Sequence, residues 1–162
     1  MEMLGYVGAI VGVLGGLTGS LVGILGARTS RTGDASQLLA VLRVATVVSL
    51  LLALVGAAVR FAVPAEPVYL SGEILWFAGA SGLSVMTLLS ASRSGASRTH
   101  TRYLTVVMAS GVLLTALGLQ NLSAGGDWGR SVRELIWGTI LLSNYLIFLF
   151  VVKRSFGRAR AK

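Results

Sequence analysis

Residues Val44–Val59 read VATVVSLLLALVGAAV, and this uncharged stretch decides the fold. It extends at both ends into an apolar window over Leu38–Val63, in which Arg43 and Arg60 are the only charged residues. A membrane-spanning helix needs about 20 apolar residues, because each residue rises 1.5 Å and the hydrocarbon core of a bilayer is ~30 Å thick. The window therefore predicts a transmembrane helix.

Four more windows of similar length and composition occur along the chain. With 54% hydrophobic residues, 12% charged residues and a mean hydropathy of +0.80, the chain has too little charge to cover a water-exposed surface. Soluble domains carry about 25% charged residues. We therefore predict an all-α polytopic bundle, a single transmembrane domain over residues 1–152 with a polybasic tail at 153–162. The predicted spans are residues 3–27, 38–63, 70–91, 103–122 and 135–152.

Two linkers carry the sequence pattern of a helix start. Ser131-Val-Arg-Glu134 has the spacing of a capping box before the fifth span, and Asp34-Ala-Ser-Gln37 is a looser version before the second. Both are expected to satisfy N–H groups of a first helical turn, which have no partner inside the helix. His100, the only histidine, falls in the predicted loop between the third and fourth spans, where we expect a solvated side chain.

The distribution of basic residues predicts the orientation, because Lys and Arg near span ends stay mostly cytoplasmic. Of the fourteen Lys and Arg residues, three fall on one side of a five-span chain, namely Arg60, Arg130 and Arg133. The other side collects eleven, so we expect the N-terminus outside and the C-terminus inside (N-out/C-in). These eleven are Arg28, Arg31, Arg43, Arg93, Arg98, Arg102, Lys153, Arg154, Arg158, Arg160 and Lys162. The outer interface, which suits amphipathic rings, is the expected place of Trp76, Trp128 and Trp137.

The basic tail is expected to contact anionic lipid headgroups, to which each charge near the surface contributes about 1 kcal/mol. Its charged residues are Lys153, Arg154, Arg158, Arg160 and Lys162. Although the net charge is +8, the basic residues lie between and after apolar runs of membrane length. This distribution favours membrane lipids over nucleic acid as the partner.

Seven glycines of the first span recur at helical spacing and predict a helix-packing interface. Their intervals of three and four residues place them on one face of a helix, where small residues let backbones approach closely. We expect one of three roles for this face: it packs on another helix of the same chain, it forms a subunit interface, or it lines a pore. The seven are Gly5, Gly8, Gly12, Gly15, Gly19, Gly23 and Gly26. A second small-residue face, Ala78-Gly79-x-x-Gly82, is also expected to meet partner helices.

Polar residues inside predicted spans are candidates for function, because ionisable groups are costly in lipid. Arg43 is expected to extend to the interface, or else to hold a buried partner or ligand. Glu73 and Arg60 are expected to pair across the turn between the second and third spans, with proton or cation binding by Glu73 as the alternative. Asn144 is expected to bond across helices rather than to contact a substrate.

The sequence argues against catalysis and offers no cofactor site. It has no cysteine and no histidine within a predicted span, and no nucleotide-binding loop or paired aspartates inside the membrane. The leading hypothesis is a non-catalytic integral membrane subunit that packs against partner helices of a larger complex in a prokaryotic plasma membrane. One alternative is a small homo-oligomeric channel or transporter with a path past Glu73, Asn144 and possibly Arg43. Another is an envelope lipid-handling factor that meets headgroups through Arg130, Arg133 and Trp128.

Overall fold

Five α-helices account for nearly all of the chain that the computed structural model describes, namely residues 2–62, 68–94 and 97–159. All five are long and apolar enough to cross a membrane, as the sequence predicts. Each helix extends beyond its predicted apolar window, because polar residues of the linkers continue the helical turns. The helices are α1 (Glu2–Thr32), α2 (Ser36–Ala62), α3 (Val68–Ser94), α4 (Arg98–Ser123) and α5 (Trp128–Ala159).

Two helical hairpins, α2–α3 and α4–α5, form the body of the molecule, and glycine allows the close approach within each. A Cβ atom at Gly72 would lie 2.6 Å from the backbone nitrogen of Arg60, and one at Gly79 would overlap the backbone of Ala53. In the second hairpin, a Cβ at Gly118 would lie 2.9 Å from the carbonyl oxygen of Ser131. Backbones in contact gain van der Waals attraction, which drives helix association where lipid supplies no hydrophobic force.

The face Ala78-Gly79-x-x-Gly82 therefore serves a different purpose from the one predicted. Gly79 lies against Ala53, and a Cβ at Gly82 would lie 2.7 Å from the hydroxyl of Ser49. Both neighbours belong to α2 of the same chain, so these two glycines are not free for a partner helix.

An apolar core joins the two hairpins. All four helices of the two hairpins contribute to it. Its residues are Ala53 of α2, Trp76, Ala80 and Leu83 of α3, Val107 and Leu114 of α4, and Leu141 of α5. Trp76 is only 2% exposed, and its Nε1–H donates to Ser110 Oγ at 3.0 Å across the α3–α4 contact. The Trp76 ring therefore packs inside the bundle, where its N–H finds a partner, and is not free to contact lipid.

The start of α5 differs from the predicted one, whereas Asp34 serves the start of α2 as predicted. Asp127 caps α5, since its Oδ1 accepts the N–H of Arg130 at 2.7 Å, and Glu134 points into the bundle instead of back to Ser131. At the start of α2, Asp34 Oδ1 accepts the N–H of Ser36 at 2.9 Å. This bond, a second one to the Ser36 hydroxyl and the nearby Arg28 together lower the pKa of Asp34.

The one capping box among the described helix starts is at α4, where a histidine takes the place of the usual Glu. His100 Nδ1 accepts the N–H of Ser97 at 3.1 Å, while Ser97 Oγ accepts the N–H of His100 at 3.4 Å. Since Nδ1 accepts, the ring proton is on Nε2, which lies 3.1 Å from Ser90 Oγ of α3. His100 is therefore half-buried and ties α4 to α3, rather than lying free in a loop.

Helix α1 contacts α2 and α3 but buries little of itself. Leu17 and Ile24 are 65% and 67% exposed, and an apolar cavity of about 550 Å³ separates the middle of α1 from the hairpin α2–α3. No atom of another described helix lies within 4 Å of the Cβ position at any of the seven α1 glycines. Within the described residues, this glycine face therefore does not pack on another helix of the same chain, which was one of the predicted alternatives.

Candidate functional site

A cluster of charged side chains lies buried at one end of the bundle, where α2 and α4 end and α3 and α5 begin. We call it the arginine–glutamate network. It consists of Arg60 of α2, Glu73 of α3, Asn121 of α4, and Arg130, Arg133 and Glu134 of α5.

Glu134 is the centre of the network and is fully buried. Its Oε1 accepts from Arg60 Nη2 at 3.0 Å and from Arg130 Nε at 3.1 Å, and its Oε2 accepts from Asn121 Nδ2 at 2.7 Å. Three donors from three helices therefore converge on one carboxylate. Such charge-assisted hydrogen bonds are shorter and stronger than those between neutral groups.

Glu73 is also fully buried and has its own arginine. Its Oε2 accepts from Arg133 Nη2 at 2.8 Å and from Arg133 Nε at 3.1 Å. Its Oε1 lies 3.5 Å from Arg60 Nε, a contact of opposite charges without a hydrogen bond. Arg60 thus lies between both glutamates and is itself only 9% exposed.

Glycine explains why these side chains meet. Because Gly72 and Gly56 let α2 and α3 touch, the end of α2 brings Arg60 over the residue that follows Gly72, which is Glu73. Gly118 has the same effect between α4 and α5, and it lies three residues before Asn121. The network thus depends on close backbone contact within both hairpins.

Aromatic rings lie against all three arginines of the network. The Tyr69 ring lies 5.3 Å from the guanidinium carbon of Arg60 and 5.0 Å from that of Arg130, and Trp137 lies 5.7 Å from that of Arg133. Cations at these distances are attracted to the electron-rich ring faces. The three arginines carry one positive charge more than the two glutamates balance. The rings therefore help to stabilise this excess arginine charge.

The arrangement is suited to holding four helices together rather than to binding a cation. Three of the four carboxylate oxygens accept hydrogen bonds from within the network, and the fourth faces Arg60. Positive charge surrounds both glutamates, so a metal ion would have to displace an arginine. No group of three or more His or acidic side chains suited to a metal ion occurs among the residues described.

No protein-family model, curated protein or solved structure matches the chain.

The sequence pointed to part of the network. It paired Arg60 with Glu73, and the structure brings these two side chains together. One alternative placed Arg130 and Arg133 at lipid headgroups, whereas both side chains turn inward to Glu134 and Glu73 and are 29% and 28% exposed. The spacing of Arg130 and Glu134, an i,i+4 pair just before the predicted fifth span, is the sequence signal that was available for the part of the network on α5.

The other predicted site residues lie elsewhere. Asn144 is half-buried on α5, and its side-chain amide forms no hydrogen bond within the described part of the chain, so the predicted bond across helices is not found there. Arg43 lies near the start of α2, at the end opposite the network. The side chains of Lys153, Arg154 and Arg158, and all of Arg160 and Lys162, lie outside the described residues, so headgroup contact by the tail stays a prediction.

Proposed function

We propose that the chain is a non-catalytic subunit of a larger membrane complex, and that α1 packs against partner helices through its glycine face. The observation that carries this proposal is the unoccupied space around Gly5, Gly8, Gly12, Gly15, Gly19, Gly23 and Gly26. Glycine in a helix interior costs roughly 0.8–1.0 kcal/mol against alanine in water, so seven such residues on one face require a compensating contact. Residues 2–62, 68–94 and 97–159 of the chain do not supply that contact.

The difference between α1 and the rest of the molecule supports the proposal. Glycines of α2 to α5 at close backbone contacts, such as Gly56, Gly79 and Gly138, each have neighbouring atoms within 3 Å of the Cβ position. The same residue type is uncovered all along α1, and the apolar cavity also separates the middle of α1 from α2 and α3. Between the helices the described linkers are short, so recognition of a partner has to take place largely inside the bilayer.

The structure weakens the channel alternative within one chain. A path past Glu73 and Arg43 would run nearly the length of α2, since Arg43 and Arg60 are about 25 Å apart at 1.5 Å per residue. The apolar core around Leu83, Val107 and Leu114 fills the bundle between these ends. The network also engages Glu73 with arginine instead of exposing it to a solute.

Substitution within the glycine face tests the proposal. We expect Gly19→Leu to abolish recovery of partner subunits when the tagged chain is isolated from its native membrane in mild detergent, because the larger side chain keeps helices apart. Ser20→Leu is the matched control, since Ser20 is equally exposed but lies about 100° further round α1. Quantitative mass spectrometry of the isolated complexes measures both.

Two outcomes contradict the proposal. One is loss of partners with Ser20→Leu and not with Gly19→Leu. The other is isolation of the wild-type chain as a stable lone monomer from its native membrane. A complex that contains only copies of this chain, shown by its mass, favours the homo-oligomeric alternative instead.

We further propose the N-out/C-in orientation in a prokaryotic plasma membrane, on the basis of the basic residues at the α3–α4 end. The chain has no cysteine, so a single introduced thiol is a unique label. Ser92 and Ser123 are exposed residues at opposite ends of the bundle. We expect a membrane-impermeant maleimide to label Ser123→Cys in intact cells and Ser92→Cys only after permeabilisation; the reverse pattern would invert the topology.

A further inference from the structure

A polar cavity of about 520 Å³ lies between α2 and α4, at the end of the bundle opposite the arginine–glutamate network. It receives side chains from three helices, and most of the polar ones carry a hydroxyl group. The polar residues around it include Arg43, Thr46, Ser90, Ser97, Thr99 and His100. No acidic residue is among them.

Arg43 gives the cavity an uncompensated positive charge. It forms no ion pair or hydrogen bond with any residue whose side chain the structure describes. Asp34, the acidic residue at the start of the same helix, bonds to the N–H of Ser36 instead. The guanidinium offers five donors in a planar fork that matches the oxygens of a phosphate group.

The start of α4 lines the facing side of the cavity through Ser97, Thr99 and His100. The N–H groups of a first helical turn have no partner within the helix and carry partial positive charge. Two such groups are satisfied within the turn, because His100 Nδ1 accepts the N–H of Ser97 and Ser97 Oγ accepts the N–H of His100. These two bonds fix the turn next to the cavity. Because His100 Nε2 donates to Ser90 Oγ, the hydroxyl hydrogen of Ser90 remains available to an acceptor.

We propose that this cavity binds a phosphate group, with Arg43 on one side and the first turn of α4 on the other. The apolar surface beside it identifies the source as a phospholipid. Val47, Leu54 and Phe61 follow Arg43 along one face of α2 at intervals of four and seven residues, and they are 50%, 54% and 58% exposed. Acyl chains fit along this face when the headgroup is held at Arg43, whereas a soluble phosphate leaves it uncovered.

The single histidine provides the test, because isotope-labelled His100 gives one NMR signal at the cavity. The full chain in maltoside micelles, which carry no phosphate, is titrated with phosphatidylglycerol and separately with inorganic phosphate. We expect a saturable shift of the His100 signal with the lipid. Arg43→Gln should weaken the apparent affinity at least about tenfold, since it removes charge-assisted hydrogen bonds.

Arg93→Gln is the matched control, because it removes the same charge from the same end of the bundle without lining the cavity. It should titrate like the wild type, and Arg43→Lys, which keeps the charge but loses the planar fork, should bind with intermediate affinity. A saturable, Arg43-dependent shift with inorganic phosphate alone supports the phosphate site and replaces the lipid by a soluble source. Equal titration of wild type, Arg43→Gln and Arg43→Lys overturns the proposal.

Discussion

Replacement of Glu134 by alanine is expected to lower the free energy of unfolding by about 3–5 kcal/mol, because it leaves buried arginine charge without its partner. Arg60 is 9% exposed and cannot turn to water without leaving the contact between α2 and α3. Asn121 also loses the acceptor of its 2.7 Å hydrogen bond. Unfolding in mixed micelles of mild detergent and dodecyl sulfate, followed by helix content, measures the loss.

Asp34→Asn is the control for this experiment. It also removes one negative charge, but Asp34 is exposed in a linker, so the unfolding transition should stay where it is in the wild type. An equal, small effect of Glu134→Ala and Asp34→Asn would show that the network is hydrated and does not hold the helices together.

A double-mutant cycle separates the network from simple loss of volume. Arg60→Met together with Glu134→Leu removes both charges and keeps apolar side chains of similar size, and replacement of a buried ion pair in this way is often neutral. We expect the double variant to be more stable than the sum of the two single effects predicts, by about 1–3 kcal/mol. Strict additivity would mean that the 3.0 Å contact between Arg60 and Glu134 contributes no coupling.

The five spans follow from the sequence because they depend on a property of each segment alone. A run such as Val44–Val59 has too few polar groups to be stable in water, whatever it packs against. The ends of the helices were less predictable, since Asp127 caps α5 eight residues before the predicted start of its apolar window at Leu135. Capping depends on which polar side chain reaches the first turn, and several candidates stood in the same linker.

Packing partners were the part that sequence could not provide. Spacing put the glycines of α1 and those of Ala78-Gly79-x-x-Gly82 on helix faces, but nothing in the spacing says which helix a face meets. The structure assigns the second face to α2 and leaves the first one uncovered. In the network, Arg60 and Glu73 were predictable because they flank one short turn, whereas Glu134 lies 74 residues from Arg60 in the chain.

Gly56, one of the glycines at the α2–α3 contact, should be the most sensitive position for a single added methyl group. A Cβ at Gly56 would overlap the backbone nitrogen of Trp76 and lie 2.7 Å from the carbonyl oxygen of Gly72. Both obstacles are backbone, so neither can rotate away, and the two helices have to separate. Gly56→Ala is therefore expected to destabilise by about 3 kcal/mol, at the upper end of typical overpacking costs, as measured by the same unfolding assay.

Gly12→Ala makes the comparison decisive, because it adds the same methyl group at a helical glycine with nothing within 4 Å. Helix propensity alone favours alanine over glycine by roughly 0.8–1.0 kcal/mol in water, so Gly12→Ala should leave the isolated chain as stable or slightly more so. Separation of α2 from α3 also moves Arg60 away from Glu73 and disturbs the network. In the Gly56→Ala background, Glu134→Ala should therefore lower the free energy of unfolding by less than it does in the wild type. Equal stability of the Gly56→Ala and Gly12→Ala variants would show that α2 and α3 are not in backbone contact, and the geometry of the network would then have no support.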